Sequence, residues 1–154
     1  MISDDLLDIA RRLAEGTPTH TDLRRAISNI YYATFHAICQ SNADALVGDD
    51  PDDRDQSAWR QAYRALEHGY ARQRCQQIER GGRFTVEVQI LADYFPAIQH
   101  LRHQADYDPD RIFVQQETLN AINEAAARID VFRSASPRER RAFAVYILMR
   151  ERQD

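Results

Sequence analysis

The clearest helical pattern in the chain lies at residues 22–41, which read DLRRAISNIYYATFHAICQS. One stripe recurs there every three to four residues, as on one face of a helix; it consists of Leu23, Ile27, Ile30, Tyr31, Thr34 and Ile38. Thr19 and Thr21 precede the stretch and are candidate N-caps, because a threonine hydroxyl can accept a bond from a free amide of the first turn. The pattern predicts a long helix from about Asp22 to Ser41.

Apolar residues recur at the same helical spacing in the sequence before and after this helix. Further helices are predicted over residues 3–15, 57–78, 84–105 and 114–133, and a last one begins at Pro137. In the first of them Ser3 is the predicted N-cap, and the stripe expected to face inward is Leu6, Ile9, Ala10 and Leu13. Pro96 interrupts the 84–105 stretch, so we expect a kink or a new start just before it.

The last helix has a complete start signal. Ser136 is placed as an N-cap, Pro137 occupies the first helical position, and Glu139 completes a capping box. The whole chain of 154 residues has only five Gly and five Pro, too few for the many turns of a β-sandwich or barrel. We therefore expect one all-α domain over residues 1–154: an up-and-down bundle of four long helices with shorter flanking helices.

Charge is distributed unevenly along the chain. The formal net charge is −4, and all 20 basic residues are Arg. Arginine suits phosphate recognition, although biased codon usage would produce the same composition. Six Asp lie between Asp44 and Asp55, which predicts a solvated acidic loop at about 43–56. A calcium loop is excluded, because the glycine and the closing Glu of an EF-hand are not at the required spacing.

The location of the protein is predicted from the lack of targeting patterns. The chain contains no apolar run near the ~20 residues needed to span a bilayer, and its acidic N-terminus does not resemble a signal peptide. We therefore expect a cytoplasmic protein without membrane attachment, in which Cys39 and Cys75 are reduced thiols.

Several standard catalytic sites are missing from the sequence. It contains no Gly-rich phosphate loop, no Gly-x-Ser-x-Gly, no His-Glu-x-x-His and no Glu-x-x-His pair for a di-iron bundle. His100, His103 and Asp106 share a helical spacing of three, but a metal site would need a further ligand such as His36 or Asp93. Surface polar residues often have this spacing, so we predict no metal and no cofactor.

A polar seam is predicted along the helix at residues 22–41. Arg25, Ser28, Tyr32 and His36 follow one another at intervals of three or four, so they lie on the same side of that helix. The seam is a candidate binding surface. The alternative is structural, because tyrosines in helical bundles commonly bury their rings and form local hydrogen bonds.

Two motifs resemble a known family. Residues 25–36 read RAISNIYYATFH and residues 102–109 read RHQADYDP. The first resembles the second-helix signature of HEPN domains, most closely a bacterial branch with Arg-Ala-x-Ser-x-x-Tyr-Tyr-Ala-x-Phe-His. The second resembles the Arg-x-x-Ala-Asp-Tyr element of the same branch. The resemblance covers about residues 22–40 and 90–109, and two motifs in the right order make it more specific than either alone.

The resemblance implies a function. HEPN domains are helical bundles that commonly form homodimers, and many are metal-independent ribonucleases of toxin–antitoxin or defence systems. The catalytic form carries an Arg and, about one turn later, a His. Arg102 fits the Arg, whereas Tyr107 stands near the expected His and His103 directly follows the Arg.

The implied site residues fall into two groups. The candidate catalytic residues are Arg102, His103, Asp106, Tyr107 and His36; the candidate RNA-binding residues are Arg25, Ser28 and Tyr32. Arg102 would stabilise the charged phosphorane, and His103 or His36 would act as acid and base. Tyr107 is a weak base at neutral pH but a suitable hydrogen-bond donor.

Two alternatives stay open at the level of sequence. Arg102 and Asp106 are four residues apart, so they could form a structural ion pair that bonds Tyr32 or Ser28 on the other helix and needs no catalysis. Correspondingly, the chain is either a HEPN-like domain that acts on RNA or nucleotides, or a non-catalytic interaction module. The expected partner of such a module is an antitoxin or a nucleotidyltransferase-type subunit.

Overall fold

The computed structural model describes residues 1–78 and 82–154, and within these ranges it is all-α. It contains seven helices and no strand, which confirms the predicted fold class; the helices are α1 (Ile2–Ala14), α2 (His20–Val47), α3 (Gln56–Tyr63), α4 (His68–Gln77), α5 (Val86–Tyr107), α6 (Gln115–Arg133) and α7 (Pro137–Leu148). No helix in the described residues combines the length and the apolar character needed to cross a membrane.

The chain divides into two compact units. Unit 1 consists of Met1–Ala37 and Tyr94–Asp130, and unit 2 consists of Ile38–Asp93 and Val131–Asp154. Helices α2, α5 and α6 each contribute residues to both units. The single domain predicted for residues 1–154 stays a prediction.

The core of unit 1 is formed by the stripe on α2 that the sequence predicts. Ile27, Ile30 and Tyr31 are fully buried. Helices α2 and α5 run antiparallel here, because Ser28 bonds Asp106 near the end of α5 while Tyr31, later in α2, accepts a bond from Gln99 at 3.2 Å, earlier in α5. Burial of this stripe removes apolar surface from water and thereby stabilises the packing of the unit.

Two helix starts form as their capping signals predict. The Thr19 Oγ1 accepts from the Asp22 amide at 3.1 Å, and the Asp22 carboxylate accepts from the Thr19 amide at 2.9 Å. The Ser136 Oγ accepts from the Glu139 amide at 3.2 Å at the start of α7, as the N-cap prediction requires. These bonds satisfy amides that the first turn of a helix leaves without a partner. The predicted capping box is only half formed, because the Glu139 carboxylate accepts from the Thr85 amide and not from that of Ser136.

Helix α1 turns a different face inward from the one predicted. Ser3 is not the N-cap, which is Met1; its hydroxyl is buried and donates to the Ala33 carbonyl at 2.9 Å. The buried residues are Ser3, Leu7, Ala10 and Ala14, whereas Ile9 is 37% exposed. The physical reason is that the buried Ser3 hydroxyl has an acceptor in the Ala33 carbonyl of α2, so this face packs inward without leaving a polar group unsatisfied.

The helix predicted over residues 57–78 is broken into α3 and α4. Arg64 closes α3, Glu67 precedes α4 with an extended backbone, and Leu66 is buried in the connection. The apolar spacing of this stretch fits one helix as well as two, so periodicity alone could not locate the break. Three of the described helices therefore have 19 residues or more, where four long ones were predicted.

The acidic loop is shorter than the predicted 43–56. Helix α2 continues to Val47 and α3 begins at Gln56, so the connection starts at Gly48, whose φ of +131° favours glycine. Asp44 lies within α2, where its Oδ1 accepts from Trp59 Nε1 at 2.8 Å and from Arg54 Nη1 at 3.4 Å. These two donors compensate the negative charge of the Asp44 carboxylate, which was predicted to lie in a solvated loop.

Helix α5 continues through Pro96 without a new start. The proline lies inside Val86–Tyr107, and its missing N–H leaves the carbonyl one turn earlier without its usual helical partner. Ala92 and Phe95, the two positions around the expected interruption, are fully buried. Packing against the core keeps this stretch helical although the intrinsic propensity of proline opposes it.

In unit 2, helices α4 and α7 pack antiparallel. Arg74 Nε donates to the Tyr146 carbonyl at 2.9 Å, and the Tyr146 hydroxyl donates to the Arg74 carbonyl at 2.7 Å. The Arg74 guanidinium also lies over the Tyr146 ring, 3.8 Å from its centroid. This reciprocal pair holds the two short helices in register.

Candidate functional site

A groove between α2 and the end of α5 gathers most of the predicted site residues. It encloses about 410 Å³ and lies within unit 1. Its walls are Thr21, Arg24, Arg25, Ser28, Asn29 and Tyr32 of α2, with residues 105–107 of α5. We call it the α2–α5 groove. Of the predicted residues, Arg25, Ser28, Tyr32, Asp106 and Tyr107 line it.

Asp106 connects the two helices at the floor of this groove. The Ser28 Oγ donates to one of its carboxylate oxygens, and Arg102 Nη1 donates to the other at 3.2 Å. The side chains of Arg102 and Asp106 are only 17% and 26% exposed. The ion pair proposed as a structural alternative is therefore present, and its partner on α2 is Ser28.

Arg102 is held by aromatic rings as well as by Asp106. Its guanidinium carbon lies 4.9 Å from the centroid of the Tyr31 ring and 5.7 Å from that of Tyr32. Burial lowers the pKa of Arg102, but the bond to Asp106 and the two nearby tyrosines raise it, and the net direction is upward. The guanidinium is thus a permanent, oriented charge.

Arg102 nevertheless has unused hydrogen-bonding capacity. Its Nε is buried and has no hydrogen-bond partner among the described residues. Burial also raises the pKa of Tyr31, although the bond from Gln99 partly opposes the rise. Tyr31 is therefore a neutral phenol at physiological pH and supports the guanidinium by its ring.

Arg25 is the exposed cation of the groove. It forms no hydrogen bond or ion pair with residues in the described ranges. Tyr107, on the opposite wall, is 66% exposed, although large aromatic residues are usually buried. The groove therefore presents a cation and an exposed aromatic ring to solvent, together with Asp106, whose partner Arg102 does not line the groove.

The two candidate histidines take different positions. His103 is exposed and stands beside the groove, with its ring centroid 4.9 Å from that of Tyr107. His36 lies two turns beyond Ser28 and does not line the groove; burial lowers its pKa. Of the predicted polar seam, Arg25, Ser28 and Tyr32 therefore line the groove, whereas His36 does not.

Arg24 has a structural role that the sequence analysis missed. Its guanidinium donates to the carbonyls of Gln104, Ala105, Asp108 and Arg111 at 2.6–3.3 Å. The Ala105 carbonyl belongs to the last turn of α5, where carbonyls lack helical partners, and the Asp108 and Arg111 carbonyls lie in the connection that follows. No local pattern distinguishes Arg24 from Arg25, because only the position of the end of α5 assigns their roles.

The metal alternative requires a group of ligands that the structure does not bring together. Among the residues that the structure describes, no group of three His, Cys, Asp or Glu side chains is placed to hold a metal ion. His100 and His103 are both exposed, and Asp106 is already bonded by Ser28 and Arg102.

Comparison of the chain with protein-family models, with curated proteins and with solved structures finds no match. The groove contains an exposed guanidinium and aromatic rings, and the fixed Arg102 guanidinium and the His103 imidazole stand beside it. That set suits a polyanion with aromatic bases better than an apolar ligand.

Proposed function

We propose that this chain is a HEPN-like helical domain that acts on RNA, with the α2–α5 groove as its binding site. The observation that carries the proposal is the exposed, unpaired Arg25, which lines the same groove as Tyr107 and Asp106. Asp106 in turn bonds the half-buried Arg102, which is not itself part of the lining. In the proposed setting, a toxin–antitoxin or defence system, the protein is a homodimer and its target is cellular RNA.

Binding is proposed to use two kinds of contact. Arg25 contacts a backbone phosphate, since an exposed guanidinium provides a paired donor for phosphate oxygens. Tyr107 and the adjoining His103 ring offer a surface on which one base stacks, as is usual for single-stranded RNA. Ser28 and Asp106 hold the wall between these contacts in place.

Cleavage is proposed to follow from the same groove without a metal. The 2′-oxygen of the RNA attacks the adjacent phosphorus and the bond to the 5′-oxygen breaks, which yields a 2′,3′-cyclic phosphate and a 5′-hydroxyl. His103 accepts the proton of the 2′-hydroxyl, and the phenol of Tyr107 donates one to the departing 5′-oxygen. Arg102 stabilises the negative charge on the phosphorane.

The binding claim is tested with a fluorescent single-stranded RNA, measured by anisotropy across a range of salt concentrations. We expect Arg25→Ala to weaken binding about threefold to tenfold and to lower the slope of log Kd against log salt by about 0.7, the value for one phosphate contact. Arg72→Ala is the matched control, because Arg72 is also an exposed helical arginine. An equal loss in both variants would show that the groove is not the site.

The cleavage claim is tested with the same RNA in the presence of a chelator. We expect His103→Ala to slow cleavage by about 10²-fold or more and Arg102→Lys to slow it less than Arg102→Ala, because the charge is kept. Circular dichroism checks that each variant is folded. Cleavage by the wild type that equals the buffer background would reject the catalytic part of the proposal.

One observation favours a second function, a non-catalytic interaction module. No histidine lines the groove among the described residues, and the Arg102 guanidinium is already bonded to Asp106. This function predicts a wild-type protein that leaves RNA intact and co-purifies with an antitoxin or nucleotidyltransferase-type partner. Arg25→Ala would then weaken the complex with that partner while RNA cleavage stays at background.

A further inference from the structure

A second cavity lies in unit 2, between the end of α2 and the first turns of α7. It encloses about 470 Å³, a volume within the range of small-ligand sites. Residues 44–49 form one wall, and Pro137, Arg140 and Arg141 form the other. We call it the α7 cavity. It shares no residue with the α2–α5 groove, and nothing in the proposed RNA function uses it.

Two arginines are anchored in this cavity by only one of their nitrogens. Arg140 Nε donates to the Ala135 carbonyl at 3.1 Å, and Arg141 Nε donates to the Ala45 carbonyl at 3.2 Å. Neither guanidinium forms an ion pair within the described part of the chain. Each planar group is therefore oriented by its Nε bond, while its two Nη nitrogens keep four N–H donors for a ligand.

The charges around the arginines leave an excess of positive charge. Asp44 lines the cavity, but Arg54 and Trp59 already bond its carboxylate. Asp49 is the exposed acidic group of the lining, and no described residue bonds its side chain. The two arginines lie in the first turns of α7, where the helix dipole adds a partial positive charge.

We infer that the α7 cavity binds a phosphate monoester group, held by the Nη donors of Arg140 and Arg141. Each guanidinium presents N–H donors in a planar fork that matches two phosphate oxygens, and both residues line the same cavity. This geometry holds phosphate more selectively than a spherical anion such as chloride. The same group occurs on free phosphate esters and on the 5′ end of RNA, so the experiment separates these two sources.

The test is calorimetric titration of the full chain, in phosphate-free buffer, with inorganic phosphate and with methyl phosphate. We expect saturable binding of one equivalent, weakened at least about tenfold in the double variant Arg140→Gln with Arg141→Gln. Arg138→Gln is the matched control, because Arg138 is an exposed arginine of the same first turn that does not line the cavity. Wild-type protein without saturable binding at about 10 mM phosphate, a concentration that detects even weak sites, would overturn the inference.

A further variant keeps the test valid if the double variant fails to fold. Asp49→Asn changes neither anchored arginine and removes a negative charge beside the site, so phosphate should bind about twofold to fivefold more tightly at low salt. Unchanged or weaker phosphate binding in Asp49→Asn would mean that the phosphate does not bind beside this carboxylate and would reject the inference.

The two sources are separated with RNA tetranucleotides that differ only at the 5′ end. If the ligand is an RNA terminus, the 5′-phosphorylated form competes with methyl phosphate better than the 5′-hydroxyl form does. Equal weak competition by both tetranucleotides, together with binding of methyl phosphate, identifies a small free phosphate ester as the ligand. Binding of methyl phosphate is measured without any RNA, so it is unaffected if the RNA proposal fails, and the failures of the two proposals are distinguishable.

Discussion

Asp106 organises the α2–α5 groove, because its two carboxylate oxygens serve two different partners. One accepts from Ser28 on α2 and the other from Arg102 one turn earlier on α5. The carboxylate thereby fixes the distance between the helices and the direction of the guanidinium. A fixed guanidinium costs less conformational entropy when a phosphate binds, so a structural role and a binding role for this network are compatible.

We expect Asp106→Ala to lower the free energy of unfolding by about 1–3 kcal/mol, because it leaves the Ser28 hydroxyl and the Arg102 guanidinium without their acceptor in a partly buried site. Urea denaturation measures the loss. Asp110→Ala, in the exposed connection after α5, is the control and should change stability by less than about 0.5 kcal/mol. Equal stability of the two variants would mean that the network contributes nothing to the fold.

At the scale of the element, two adjacent arginines of α2 have different environments. Arg24 donates to carbonyls at the end of α5 and in the connection that follows, whereas Arg25 faces solvent in the groove. Neighbouring residues on a helix point about 100° apart, so one of the pair can close a helix end while the other remains available to a ligand. The Arg24 contacts hold α5 against α2 at the end of the groove.

Substitution of Arg24 and of Arg25 tests stability and RNA binding separately. Arg24→Ala should lower the free energy of unfolding by about 2–3 kcal/mol, because several carbonyls lose a charged donor. Arg25→Ala should leave stability within about 0.5 kcal/mol and weaken only RNA binding. Urea denaturation of both variants makes the comparison; a large loss of stability in Arg25→Ala would contradict the assignment.

Sequence periodicity located the helices whose ends carry caps and whose stripe is strongly apolar. The starts of α2 and α7 follow from Thr19 and Ser136, since these hydroxyls act within one turn of their own position. The prediction of the inward face of α1 was wrong, because Ser3 is a polar residue that the fold nevertheless buries. The break between α3 and α4 depends on how Leu66 packs, and no local rule reports that contact.

Some residues of the candidate site could be predicted from sequence spacing, whereas others come together only through the packing of the helices. Arg25, Ser28 and Tyr32 could be placed on one wall from their spacing, because a helix determines which side chains share a face. The bond between Ser28 and Asp106 joins residues 78 apart in the chain, and only the packing of α2 against α5 brings them together. His36 fits the spacing equally well but lies beyond the end of the groove.

For the whole molecule, the exclusive use of arginine has a structural consequence. Arginine guanidinium groups lie over aromatic rings in both units, as Arg128 does over Tyr94 in unit 1 and Arg54 over Trp59 in unit 2, at 5.0 and 4.1 Å. A planar guanidinium stacks in this way more readily than an ammonium does. Part of the arginine content therefore stabilises packing, and the proposed RNA binding depends on specific residues such as Arg25 and not on the composition.

Several weakly acidic side chains are buried in the fold, and their burial predicts how the stability of the protein changes at alkaline pH. Burial raises the pKa of both the Cys39 and the Cys75 thiol from 9.0 to about 12, and burial raises that of Tyr63 from 10.0 to about 12. The folded protein therefore keeps protons that the unfolded chain releases above about pH 9. Stability is fully present below that pH and falls as the pH rises toward 12.

We expect the free energy of unfolding to fall steeply between pH 9 and pH 11, with each buried thiol contributing up to about 1.4 kcal/mol per pH unit. Urea denaturation at a series of pH values measures this slope. The double variant Cys39→Ala with Cys75→Ala starts from a lower stability because it loses packing, but its slope should be shallower, since only the tyrosines still titrate differently in the two states. Parallel slopes would mean that the thiols ionise as readily in the folded chain as in the unfolded one, and thus that their burial does not control the alkaline limit of stability.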